Sequence, residues 1–119
     1  MTLAQARHSK LWFAGQAGNW QLAAYELDEL KEAFDDVSRY HPVHEGSKLS
    51  TVELLNKIIT PRIGALDEAI GGRDAARFTQ SFDALTQGCN QCHQALNFGF
   101  NVITRPTGNP YTNQDFEAK

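Results

Sequence analysis

The sequence predicts an all-α protein, an antiparallel four-helix bundle in one domain spanning residues 1–119, with an extended C-terminal tail. Two apolar rows and one absence lead there. Trp20, Ala23, Leu27, Leu30, Phe34 and Val37 follow one another at spacings of 3, 4, 3, 4 and 3, and Phe78, Phe82, Leu85, Cys89, Cys92 and Leu96 at 4, 3, 4, 3 and 4. A repeat of about seven residues is the period of helices packed lengthwise against one another. No stretch carries a convincing strand pattern. A chain of 119 residues is the size of one ordinary domain, long enough to bury a core.

A first helix is expected over about residues 3–17, its apolar content concentrated in Leu11, Trp12, Phe13 and Ala14. Gly15 and Gly18 weaken its end, and Asn19 is a good N-cap for the second, over about 19–40. Glu26, Asp28, Glu29, Lys31, Glu32, Asp35 and Asp36 fall outside the apolar row of that helix and read as a solvated face. Pro42 stops it, because the residue before a proline disfavours helical geometry. After a polar connection, Ser50-Thr51-Val52-Glu53 has the S-x-x-E pattern that opens a third helix, over about 51–70. Its row is Val52, Leu55, Ile59, Ile63, Leu66 and Ile70, with a kink expected at Pro61 and an end at Gly71-Gly72. Asp74 caps the fourth, over about 74–97. The tail, 98–119, carries Gly99, Pro106, Gly108 and Pro110 and so reads as extended. Its Phe98, Phe100, Val102, Ile103, Tyr111 and Phe116 need apolar surroundings, so it is expected to pack back across the helices.

Composition narrows the function. The chain is 41% hydrophobic and 21% charged with a mean hydropathy of −0.45, the balance of a chain that folds in water. A formal charge of −3 and a pI near 5.7 provide no basic field for nucleic acid. A mildly acidic face suits a redox partner protein with a basic docking face. From Ala84 to Thr104 there is no charged residue, yet seven Asn, Gln and His side chains make that segment too polar for a membrane span. Met1 to His8 lacks the pattern of a secretory signal, so a signal is expected to have been removed or replaced.

Both cysteines of the chain lie in Cys89-Asn90-Gln91-Cys92-His93. C-x-x-C-H is the attachment signature of c-type haem: the two thiols add across the porphyrin vinyl groups and the adjacent imidazole becomes an axial ligand. Cys89 and Cys92 are thus the expected thioether residues for one covalent haem c, and His93 the proximal iron ligand. The cysteines share the row that faces the bundle interior, and His93, one turn after Cys89, lies beside them. Zinc is an alternative, needing two further ligands from His8, His41, His44 or His93, although structural zinc favours C-x-x-C on a tight turn. A dithiol redox centre is another, but it wants its first cysteine at a helix N-terminus beside a strand. Haem attachment occurs outside the bacterial cytoplasm, so a periplasmic location is expected.

Four helices with C-x-x-C-H on the last, and Arg7-x-x-x-Leu11 on the first, resemble the class II c-type cytochromes, the cytochrome c′ group. The resemblance covers about residues 3–97. It implies Arg7 near a haem propionate, Leu11 or a neighbour such as Trp12 at the distal face, and a homodimer paired through the first two helices. His8 lies on the helix expected to wall the distal side, and imidazole binds haem iron strongly, so His8 is the candidate distal ligand, with His41 and His44 behind it. Phe100 is a candidate for contact with a haem edge. With both axial positions filled, the expected function is a small soluble electron carrier, not an enzyme. With the distal side merely blocked, the iron would bind a diatomic gas such as NO or CO. A plain helical interaction domain without haem is the remaining alternative.

Overall fold

The structure, a computed structural model, describes residues 2–42 and 50–119. His44 lies outside the described residues. The described chain is all-helical, without a strand element, and comprises four helical stretches. They are α1 (Thr2–Gln16), α2 (Trp20–Tyr40), a third built from α3 (Thr51–Leu54), a π-helical turn (Leu55–Ile59) and α4 (Thr60–Gly71) in continuous succession, and α5 (Ala75–Ala95). The helix α1 packs chiefly on α2, and α4 on α5, while α2 also meets α4.

Local chemistry sets where these helices begin. Asn19 accepts from the Leu22 amide, Ser50 from Glu53 and Asp74 from Arg77, at 3.2, 3.2 and 3.1 Å; each satisfies an amide that the first turn leaves without a helical partner. Three of the four helical stretches end by one device. Beyond α1, α4 and α5 the chain passes through a left-handed residue, Gly18 (φ 67°), Arg73 (φ 50°) and Asn97 (φ 65°). In each case that residue's own amide reaches back three positions and the next residue's amide five, as in Asn97 N–H to the Gln94 carbonyl at 3.1 Å and Phe98 N–H to the His93 carbonyl at 2.6 Å. This double bond-back is the Schellman closure. Gly71 and Gly72, expected to end the third helix, do not take the left-handed position; Gly72 sits at φ −84° and Arg73 takes it instead.

Pro61 produces a π-helical turn just before it. A proline offers no amide and its ring crowds the carbonyl four residues back, and widening the preceding turn relieves that crowding. Thr60 then closes the turn by donating its amide to the Leu55 carbonyl.

Phe78, Phe82, Leu85, Leu11, Leu27, Leu30, Ile59 and Leu66 are essentially inaccessible to solvent and form the centre. Phe78 presses so closely on α1 that a β-carbon at Gly15 would collide with its ring. Glu26 corrects the expectation of a solvated face: it is only 1% exposed. Lying between Ala23 and Leu30 on the face turned to α1, it is held there by Arg7, whose Nη1 is 2.8 Å from Oε1.

Past Asn97 the chain reverses and runs back over α5 and α1 without regular structure. Arg105 pairs with Asp83 on α5 and lies 4.7 Å over the Trp12 ring. The Tyr111 hydroxyl donates to the Ala6 carbonyl, Asn19 donates to the Phe116 and Glu117 carbonyls, and Phe116 is buried against Phe13.

Candidate functional site

The row that runs along α5 ends in the motif. Phe78, Phe82 and Leu85 are in the core, Cys92 is buried, and Cys89 is half-buried where the row opens into a cleft. The lining of that cleft includes His8 from α1, Phe34 from α2, Cys89 and His93 from α5, and Asn101 and Ile103 from the returning tail. It is narrow: the space open to the centre of a water molecule is about 40 Å3.

The two histidines are held differently. His93 Nδ1 is 2.6 Å from the Asn101 carbonyl oxygen. A carbonyl only accepts, so Nδ1 carries the hydrogen, and a neutral ring then keeps its lone pair on Nε2. The Schellman turn at Asn97 places this acceptor, because it folds the chain back over the helix turn that carries His93. His8 is 4% exposed and stacks on Phe82 with ring centroids 4.4 Å apart. Its Nε2 lies 2.8 Å from the Thr86 hydroxyl, which in turn donates to the Phe82 carbonyl at 3.1 Å. With the hydroxyl hydrogen so used, Thr86 accepts from His8 Nε2–H. Burial lowers the pKa of His8 from 6.5 to about 4, so the ring is neutral near pH 7 and able to serve as a ligand. It can turn Nε2 to the cleft only by giving up Thr86.

Burial pushes the Cys89 thiol up to about 12, reinforced by Cys92, and raises Cys92 as well against the opposing charge of Arg62. Both are thiols near pH 7. A dithiol redox centre needs the reverse, a thiolate stabilised by its surroundings. Among the described residues no group of three or more His, Cys, Asp and Glu side chains is placed to hold a metal ion, which leaves the zinc alternative without a ligand set there.

The structure brings His8, Cys89 and His93 together; it places the other candidates elsewhere. Arg7 is paired with Glu26 and, at 3.6 Å, with Glu29. Partial burial opposes its charge, but Glu26 by charge and hydrogen bond, with Glu29, raises its pKa above the ordinary value. Leu11 is fully buried in the core. Trp12 packs at 4.9 Å on Phe82 beneath Arg105. Phe100 is 81% exposed with its ring against Phe98. His41 is exposed at the C-cap of α2.

Three residues of the site escape sequence reasoning: Thr86, Asn90 and Asn101. Thr86 offered a signal, since it lies one turn before Cys89 on the same face of the helix. Asn101 acts through its backbone, where side-chain identity says nothing.

The donor set fits a covalently attached haem: two thiols one turn apart on one helix, an imidazole beside them whose Nδ1 is committed to the Asn101 carbonyl, and the neutral imidazole of His8 lining the same cleft. No helix among the described residues is long and apolar enough to cross a membrane. No protein family, curated protein or solved structure matches the chain.

Proposed function

We propose that the chain is a monohaem c-type cytochrome, a periplasmic electron carrier built on an antiparallel four-helix bundle. Cys89 and Cys92 are the thioether residues, His93 the proximal ligand and His8 the distal one. The observation that carries this reading is the shared cleft: His8, Cys89 and His93 all line it, and the hydrogen bond from His93 to Asn101 keeps Nε2 free to bind. The haem supplies a one-electron couple. The residues around it hold ligands and exclude water: Phe82 backs His8, Phe34 and Ile103 wall the cleft, and Asn101 fixes the His93 ring. Exposed Asp28, Glu32, Asp35 and Asp36 on α2 suit a basic partner face.

The bond between His8 and Thr86 favours a second reading. A His8 that stays on Thr86 leaves the iron five-coordinate and open to NO or CO. One set of spectra decides. The carrier requires covalent haem on a denaturing gel and a low-spin ferric spectrum that turns high-spin in His8→Ala. A gas binder takes up CO in the ferrous state without displacing a ligand, and its ferric spectrum is indifferent to that substitution. Periplasmically matured protein with no haem stain would remove both readings.

A further inference from the structure

Asn90 stands between the two cysteines and is half-buried inside α5, where a solvent-facing side chain would serve the helix equally well. It instead makes two hydrogen bonds across to one residue of the tail. Its Nδ2 donates to the Ile103 carbonyl at 2.9 Å, and its Oδ1 accepts the Ile103 amide at 2.7 Å. An asparagine amide is the side chain that can complete such a pair, since it offers a donor and an acceptor as a peptide group does. The tail leaves a turn over residues 98–101, with Phe100, Asn101 and Val102 exposed, and then sets Ile103 half-buried against the cleft. Asn101 and Ile103 lie two residues apart on the tail, and His93 and Asn90 one turn apart on the helix. The bond of Asn90 to Ile103 and the bond of His93 to Asn101 are adjacent rungs between the same two segments.

We propose that Asn90 is a positioning residue for the proximal ligand: by clamping Ile103 in both directions it holds the Asn101 carbonyl in front of His93 Nδ1, which aims Nε2 and makes the ring a stronger donor to iron. This rests on the haem reading above. A ligating histidine whose other nitrogen donates to a carbonyl is fixed in orientation and more basic, and a more basic ligand favours ferric over ferrous iron. Without the clamp the Asn101 carbonyl is held from one side only, through the Asn97 turn and the bond of the Asn101 amide to the Phe98 carbonyl at 2.8 Å, and by the His93 bond itself.

The test uses the full chain, with and without haem maturation, in wild type, Asn90→Ala and the near-isosteric Asn90→Asp, which keeps the acceptor for the Ile103 amide and loses the donor. In haem-free protein, Ile103 amide exchange should quicken at least tenfold in Asn90→Ala, and the nitrogen shifts of the His93 ring should move toward a mixture of tautomers. In matured protein haem should still attach, and the ratio of reduced to oxidised iron at a fixed ambient potential should rise by up to tenfold, a shift of up to about 59 mV. In amide exchange and in the His93 ring shifts Asn90→Asp should fall between the two, while its added negative charge favours ferric iron in its own right and leaves the potential to be compared between wild type and Asn90→Ala. Faster exchange at Ile103 with an unchanged His93 ring and an unchanged potential would overturn the proposal, since Asn90 would then secure the tail without acting on the ligand. Absence of haem from matured wild type would instead remove the haem reading, and the His93 shifts would still report on the clamp. Should Asn90→Ala fail to fold, the exchange and ring-shift readouts in Asn90→Asp decide.

Discussion

A histidine that is 4% exposed and stacked on Phe82 must leave a signature in acid. Burial lowers the pKa of His8 from 6.5 to about 4. Above pH 6.5 the ring is neutral in folded and unfolded chains alike, and its contribution to stability is fully present. Between about 6.5 and 4 the unfolded chain takes up a proton that the folded chain refuses, so stability falls as pH falls; below both values nothing more is lost. The whole loss is about 3 kcal/mol. In haem-free protein, the stability gap between wild type and His8→Gln, measured by urea at pH 7.5 and pH 4, should change by about that amount. Parallel curves would show that His8 titrates as an exposed ring. A second residue-level consequence concerns Arg7, the one ion-pair partner of buried Glu26 among the described residues. Arg7→Ala should lower stability by about 3 kcal/mol, because it strands a buried carboxylate. Arg7→Ala with Glu26→Gln should recover part of the loss in the same urea series. Equal stability of the single and double variants would mean that the carboxylate was not stranded.

Three of the helical stretches stop through one geometry occupied by three different residues, and that gives the element scale its own test. Gly18 takes the left-handed position at no steric penalty, whereas Arg73 occupies it at φ 50° against the crowding of its own β-carbon. Arg73→Gly should therefore raise stability by about 0.5 kcal/mol, the relief of strain being partly offset by the greater freedom of glycine in the unfolded chain. Gly18→Ala should lower it by about 1 kcal/mol. Thermal midpoints moving in opposite directions would bear this out; a drop in both would mean that the Arg73 side chain contributes more than its strain takes away. Asn97 holds the third of these positions, and there the turn also has a functional effect, since it returns the tail across His93.

For the molecule as a whole, the sequence reveals what is periodic or local. The apolar rows of α2 and α5 announce their helices because they repeat every seven residues. Asn19, Ser50 and Asp74 announce helix starts because each cap bonds an amide three residues on. The motif names its own cysteines and histidine. The pairings that shape the cleft were hidden because they join distant positions: Arg7 with Glu26, His8 with Thr86, Asn90 with Ile103. Glu26 looked solvated because its partner belongs to another helix, and the exposure of Phe100 follows from the turn over residues 98–101, which position after the motif does not reveal. The tail joins these levels. It bonds to α5 through Asn90, His93 and Asp83, to α1 through Ala6 and to the cap of α2 through Asn19, with Phe116 buried at its far end. Phe116→Ala removes the one deeply buried side chain of that end, and truncating a buried phenylalanine costs about 3 kcal/mol. If the far end is held mainly by Phe116, exchange should quicken from Tyr111 to Glu117 while the amides of Asn101 and Ile103, anchored independently at α5, keep their protection. Loss of protection along the whole tail would instead mean that it detaches as one unit, and that the cleft depends on contacts at the opposite end of the molecule.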